Sequence, residues 1–504
     1  MEILQYALVP FTDLQLMFFI AAGTFLGLYV GALPGLSVTM AVSLLISFTF
    51  SWDVLPAIAL MIGIYCGGVY GGSRSAILLN IPGAPAAIAT TFDGYPLALK
   101  GHAGEAIGVT VVQSVLGGFI GAIILAAGAP FVSHIALQFA PRDYLLLAIM
   151  GLFLVGSLGT DSTPRGLFTA ALGVLLGLIG MDPLTGVGRF TFGSIGLLSG
   201  INYVTVMIGL FGLSEALIQI KEIDVIAIKQ KIDKIIPSFK SIIQYLPLSI
   251  RTSLIGVFVG ALPGTGGDLA ALLAYDHAKR TVKNPKVPFG EGAMEGLVAP
   301  ESANNAAIGG AFIPMLTLGI PGDAVTAIII GALFIHGLKP GPMLMVESPE
   351  VVWLIVGGLF VSNIFLLIFG LTGIKIFARI VEIPKSILMP IIIVLSVVGS
   401  YSINNSTTDI FWMLGFGMLG YVLKHFKFPV GPIILGIILS PLLERNFRRA
   451  IMSSQGSLLV FFKSLVTNPI SLMIVLVLCF MVLGQNKGFK KWLNRFFPSK
   501  SDAQ

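Results

Sequence analysis

Apolar residues along this chain run in blocks of about 20, interrupted by short polar or Gly-Pro punctuation. Leu14–Leu33, Ala103–Pro130, Val351–Ile374 and Leu458–Gly484 are examples, each long enough to cross a hydrocarbon core of about 30 Å. About 12 such blocks can be counted, with Gly and Pro blurring their borders. The pattern predicts an all-α polytopic membrane protein.

One polar stretch divides the blocks. Residues 219–245, "QIKEIDVIAIKQKIDKIIPSFKSIIQY", separate a first apolar half (14–218) from a second (246–484), and a basic tail (485–504) follows. Ile220, Ile223, Ile226, Ile228, Ile232 and Ile235 within the divider suggest an amphipathic surface helix acting as a connector. The halves resemble each other. "GLYVGALPG" (27–35) aligns with "GVFVGALPG" (256–264) at an offset of 229, and "NIPG" (80–83) with "GIPG" (319–322) at 239. The ten extra residues fall plausibly in the polar loop "KRTVKNPKVPFGEG" (279–292). We read an internal duplication of the kind that transporters use to build a site at a repeat interface. The repeats are inverted or not according to whether each half holds an odd or even number of spans.

The punctuation carries candidate chemistry. Proline lacks an N–H and clashes with the preceding turn, so Leu-Pro-Gly in an apolar block breaks or kinks a helix. The backbone groups freed at such a break need protein, water or substrate as partners inside a bilayer. Pro34-Gly35 and Pro263-Gly264 form one pair of breaks, Pro82-Gly83 and Pro321-Gly322 a second. A merely kinked helix is the plain alternative. After the first pair come Ser37 and Thr39 in one half, and Thr265, Gly266, Gly267 and Asp268 in the other. Hydroxyls and exposed amides at a new helix N-terminus suit an anion. Around the second pair lie Ser73, Arg74, Asn80, Thr90, Thr91 and Asp93, and then Glu301, Ser302, Asn304, Asn305, Thr317 and Asp323. Polar groups among spans suggest a substrate or ion path, and both stretches read as hairpins dipping partway in. Interhelical hydrogen bonding is the plain reading for each Asn or Ser. Asp93, Asp268, Glu295, Glu301 and Asp323 are the acids nearest the breaks, with Asp93, Asp268 and Glu301 as candidate cation ligands for Na⁺ or H⁺. "FDGYP" around Asp93 also reads as an ordinary turn. Arg74 suits either bidentate recognition of a carboxylate or a topology-setting charge.

Composition sharpens the class. The chain has 504 residues, 56% hydrophobic and 11% charged, with a mean hydropathy of +0.95, far from the roughly 25% charged of soluble domains. No Lys or Arg precedes Arg74, so the first block lacks a secretory basic region and is expected to stay as a span. The net charge of +6 comes from lysine clusters at 221–240, 279–286 and the tail. Basic loops beside spans mark the cytoplasmic side, which puts the divider and C-terminus inside. A basic patch for phosphate or lipid is the alternative use of these lysines. Cys66 and Cys479 imply no disulfide framework, and histidines never closer than 32 residues form no local metal motif. Tyr275-Asp276 and Thr-Gly-Gly-Asp at 265–268 stand in the wrong order for an intramembrane aspartyl protease. A Gly-x-Ser-x-Gly elbow and a phosphate loop are both missing from the sequence. Energy must then come from an ion gradient or another subunit.

"GALPGLSVTMAV", "YGGSRSAILLNIPG", "TTFDGYPLALKG", "GALPGTGGDLAALLAYDHAKR", "FGEGAMEGLVAPESANNAA", "LTLGIPGDAVTA" and "GLKPGP" occur in this order over residues 27–342. In these motifs the chain resembles the large membrane subunit of tripartite tricarboxylate transporters, the TctA type. The resemblance implies a cation-coupled secondary importer of citrate or related carboxylates in a bacterial inner membrane. It implies two partners, a periplasmic solute-binding protein and a small membrane subunit of about four spans, and no cofactor besides the coupling ion. It also implies a carboxylate site at Ser73, Asn80, Thr90, Thr91, Asn304 and Asn305. With Ser37, Arg74, Gly83, Thr265 and Gly322 these make up the expected substrate-binding set. Arg74 departs from the small or uncharged residue expected after "GGS", which puts citrate itself in question. A stand-alone carboxylate transporter is the rival, and a membrane enzyme the rival from another class.

Overall fold

The computed structural model describes residues 2–33, 35–158, 162–182, 185–220, 235–373 and 385–457, with parts of 459–479. Pro34, most of the charged divider, most of the Leu458–Gly484 block and the basic tail lie outside the described residues. Helices follow one another almost without strand: α1 (Glu2–Thr12), α2 (Leu14–Ala32), α3 (Val38–Thr49), α4 (Val54–Leu79), α5 (Ile88–Leu99), α6 (Ala103–Ala136), α7 (Pro141–Leu158) and α8 (Thr163–Gly177). A two-residue hairpin, β1 (Gly180–Met181) with β2 (Gly188–Arg189), precedes α9 (Tyr203–Met207) and α10 (Ser214–Gln219). The second half holds α11 (Phe239–Gly260), α12 (Gly266–Thr281), α13 (Glu295–Leu318), α14 (Ala324–Ile335), α15 (Leu344–Glu347), α16 (Pro349–Thr372), α17 (Lys385–Asn404), α18 (Thr407–His425) and α19 (Gly431–Ser453). Its first helix thus starts at Phe239, inside the segment read as the divider.

Among the described residues, six helices are long and apolar enough to cross a membrane: α2, α4, α6, α11, α16 and α17. Val38–Thr49, Tyr203–Gln219 and Ala324–Ile335 are apolar but shorter. This is an all-α membrane protein.

Each apolar block stops where the punctuation dictates. α2 ends one residue before Leu33, and Gly35 takes φ +91° before Ser37 caps α3. α11 ends at Gly260, and Gly264 takes φ +78° before α12. α4 and α13 stop on residues in the left-handed region, Asn80 (φ 58°) and Gly319 (φ 71°). Gly and Asn are the residues that adopt this C-terminal geometry at little cost.

Glycines set the packing. In α2, Gly23, Gly27 and Gly31 lie against the backbone of Leu60, Ile64 and Gly68 in α4, so closely that a Cβ would collide. Gly256 and Gly260 of α11 lie in the same way against Ala303 and Ala307 of α13. Contacts that rise together in number mean that each pair runs parallel. Gly117 and Gly121 of α6 likewise follow Ser302 and Ala306 of α13. In contrast, α4 and α13 cross antiparallel, with Val69 at Asn304 and the Tyr65 ring 5.9 Å from Phe312. α6 and α16 also run antiparallel, with Gly118 at Asn363 and Val111 at Gly370. In lipid, where the hydrophobic effect cannot pull helices together, small residues make such close backbone contact the main attraction.

At the periphery the hairpin is pinned to α19 by ion pairs. Arg189 donates to both oxygens of Glu444 at 2.6 and 3.0 Å, and Arg448 to both of Asp182 at 3.0 and 2.8 Å.

Candidate functional site

Four helix beginnings converge on one cavity of about 250 Å³. Two follow the GALPG breaks: Ser37, Val38 and Thr39 open α3, and Thr265 to Asp268 open α12. Two follow the Pro-Gly pairs: Ala84, Pro85 and Ala86 lead through a 3-10 turn into α5, and Asp323, Ala324 and Val325 open α14. The middles of α4 (Tyr65, Val69) and α13 (Asn304, Ile308) complete the wall.

The local chemistry explains how each group is held. The Ser37 hydroxyl accepts from the Met40 N–H at 3.1 Å and lies 2.8 Å from the Thr39 hydroxyl. Asp323 is a capping box: its Oδ1 accepts the Thr326 N–H at 2.8 Å, and its own N–H donates to the Thr326 hydroxyl at 2.9 Å. Its other oxygen accepts the Tyr65 hydroxyl. Gly264 donates its N–H to the Gly322 carbonyl at 2.7 Å, which ties the two breaks of the second half together. Asp268, in the first turn of α12, is exposed on the cavity side. Asn304 is 2% exposed; its Nδ2 reaches the Val69 carbonyl at 3.4 Å, while its Oδ1 finds no partner among the described residues. A buried amide oxygen left unpaired costs about 1–3 kcal/mol, so it marks a place for a ligand or water. Asn304 presses on Gly267, where a Cβ would strike that same oxygen.

Of the residues singled out in the sequence, the structure brings Ser37, Thr265, Asp268 and Asn304 to this cavity, along with Gly264, Thr39 and Asp323. The others sit elsewhere. Arg74 is fully buried, and its Nη2 donates to the Phe369 carbonyl at 3.0 Å and to the Gly370 carbonyl. These belong to the last turn of α16, where carbonyls lack helical partners. Asp93 accepts the N–H groups of Gly290, Gly292 and Ala293 at 2.8, 2.8 and 2.7 Å and the Tyr275 hydroxyl at 2.8 Å. It clamps the loop before α13. Asn80 is an exposed helix end. Thr91 bonds back to the Ile88 carbonyl. Gly83 and Gly322 are packing positions, against the Gly31 and Gly260 carbonyls respectively. Asn305 is buried outside the cavity wall, with both amide atoms unpartnered among the described residues. Thr90 and Ser73 lie beside Glu301, one helical turn behind the cavity.

Tyr65 was missed. It lies mid-helix in an unbroken apolar block, and only the offset of 239 that pairs it with Asn304 could have found it.

The long apolar helices define a multi-pass membrane protein, and they enclose a cavity that carries a few polar groups on a largely apolar wall. The family model of the tripartite tricarboxylate transporter TctA family matches residues 17–435, and the chain belongs to that family. A protein of Agrobacterium vitis described as "Uncharacterized 52.8 kDa protein in TAR-I ttuC' 3'region" is 37% identical over 463 residues, 91% of each chain. Another from the same organism, "Uncharacterized protein in TAR-II ttuC' 3'region", is 42% identical over 216 residues, 43% of this chain and 87% of its own. No solved structure matches.

Proposed function

We propose that this chain is the permease subunit of a binding-protein-dependent importer, and that it carries a carboxylate anion through the cavity between the GALPG and Pro-Gly breaks. The observation that carries the reading is the pairing of the cavity wall. At offset 229, Ser37, Val38 and Thr39 correspond to Gly266, Gly267 and Asp268. At offset 239, Tyr65, Val69, Ala84, Pro85 and Ala86 correspond to Asn304, Ile308, Asp323, Ala324 and Val325. The wall is thus built twice, once from each half. The antiparallel crossing of α4 with α13, and of α6 with α16, supports inverted repeats. Sites at such an interface, formed by broken helices with their N-termini turned inward, suit anionic substrates.

The two copies differ in charge. Asp268 and Asp323 come from the second half, where the first has Thr39 and Ala84. Their carboxylates would repel a bare anion, so they supply the countercharge for a cation, Na⁺ or H⁺, entering with it. This supports secondary transport rather than catalysis. Family membership supports the two partner subunits and a bacterial inner membrane location, and the lysine distribution supports a C-terminus in the cytoplasm.

The test is uptake of labelled citrate, and of a panel of dicarboxylates, by vesicles that carry this chain with its neighbouring subunits. Ser37→Ala and Asn304→Ala are expected to raise the apparent KM. Uptake that needs ATP and no ion gradient would sink the reading.

A further inference from the structure

Glu301 is 1% exposed in the middle of α13. Its Oε1 accepts the Thr90 hydroxyl of α5 at 2.6 Å, and its Oε2 the Ser114 hydroxyl of α6 at 2.8 Å. The buried Ser73 of α4 adds a third hydroxyl beside it. Every one of these partners is neutral. Tyr70 of α4 is a titratable neighbour, but its hydroxyl is shared with Thr110 at 3.3 Å and the Ile107 carbonyl. Arg74, whose guanidinium stands 5.8 Å from the Tyr70 ring, donates to α16. Asp93 is engaged by the 290–293 loop.

A carboxylate taken out of water is stable only with a countercharge or as the neutral acid. The Thr90 and Ser114 oxygens sit at direct hydrogen-bond distance from the carboxyl. A metal cation coordinating all of them would have to spread them apart, whereas a proton needs no added room.

Position then links this group to transport. On α13, Glu301 is three residues from Asn304 of the cavity wall. On the other side, Thr90 is four residues from Ala86, also of the wall. Both are separations of about one helical turn. The segment 84–90 therefore meets the cavity at one end and Glu301 at the other.

We propose that Glu301 is a proton-binding site, separate from the cavity, whose occupancy is coupled to substrate occupancy through the Thr90 hydrogen bond. Proton uptake converts the carboxylate to a carboxyl group, and its O–H then donates to a hydroxyl that had been donating to it. The bond between α5 and α13 reverses, and the start of α5 at the cavity responds. This rests on the carboxylate-transport reading above and names the regulation of that site.

Infrared difference spectra of the purified chain in lipid, taken across a pH titration, read the carboxyl directly and need no substrate. The wild type is expected to show a protonated-carboxyl band that Glu301→Gln lacks and that Thr90→Val shifts in frequency. A band retained in full by Glu301→Gln, or no such band in the wild type, overturns the site. In vesicles with the partner subunits, an inward proton gradient is expected to speed labelled-citrate uptake by about tenfold in the wild type. Glu301→Gln should lose this acceleration and keep citrate exchange. A Glu301→Gln variant that still responds to the gradient overturns the coupling. A wild type without any exchange of citrate or the dicarboxylates sinks the transport reading instead, while the infrared result still decides the proton site.

Discussion

The Tyr65 hydroxyl, from the middle of α4, donates to the Asp323 carboxylate at the start of α14. This one hydrogen bond joins the two halves across the cavity, and it holds a carboxylate whose other oxygen is already spent on capping. Tyr65→Phe removes the donor and keeps the ring. A hydrogen bond to a charged group contributes about 1.5–3 kcal/mol, so initial citrate uptake is expected to fall by at least about tenfold. Thermal unfolding in detergent should also shift downward, because the bond is already made in the resting protein, while the capping box limits the loss. Uptake equal to wild type would show that the bond plays no part in transport.

Arg74 offers a test of structural against substrate roles. Its guanidinium satisfies the Phe369 and Gly370 carbonyls, and Lys can place only one point charge there. Arg74→Met is expected to lower the melting temperature sharply and Arg74→Lys to lower it less. The ratio of apparent KM values for di- and tricarboxylates should stay fixed in whatever protein folds. A changed ratio would return Arg74 to the substrate site.

Asn80 and Asn304 separate helix termination from binding. Asn80→Gly suits the left-handed φ of 58° and is expected to be neutral or slightly stabilising. Asn80→Val should cost about 1–2 kcal/mol because a β-branched side chain resists that conformation. Neither should change the KM for citrate, measured by initial rates. Asn304→Ala should raise it several-fold at unchanged melting temperature. The reverse pattern would move the binding site to the end of α4.

Gly267→Ala probes the fit between α12 and Asn304. A methyl there meets the Asn304 amide oxygen, and overpacking of this sort costs about 1–3 kcal/mol. Loss of uptake is expected from the single variant. The pair Gly267→Ala with Asn304→Ser should melt closer to wild type than Gly267→Ala alone, a non-additivity that a double-mutant cycle reads.

The sequence disclosed the breaks well and their partners poorly. Gly-Pro punctuation is a local property of the backbone, so the ends of α2, α4, α11 and α13 could be placed from residues alone. The cavity came partly into view for the same reason: Ser37, Thr265 and Asp268 follow a break directly. Asp93, Arg74 and Thr90 have their partners outside the cavity, and a polar residue in an apolar block announces only that it needs a partner. Whether that partner is a loop N–H, a helix end or a substrate depends on contacts such as 93 to 290 and 74 to 370, which no local pattern encodes. Tyr65 stayed hidden for the converse reason, since an aromatic residue in an apolar helix looks like packing.

The glycine seams of α2 with α4 and α11 with α13 bear on how the protein can move. Backbone meets backbone there at every fourth residue, like teeth on a rack. Smaller displacements would drive Cα atoms into carbonyls, so sliding is blocked except in steps of about 6 Å, four residues at 1.5 Å each. Each seam should therefore travel as a stiff plank while the bending falls on the joints at Gly35, Asn80, Gly264 and Gly319. Spin labels across a seam are expected to keep their spacing with and without citrate, while labels on α3 and α14 change theirs.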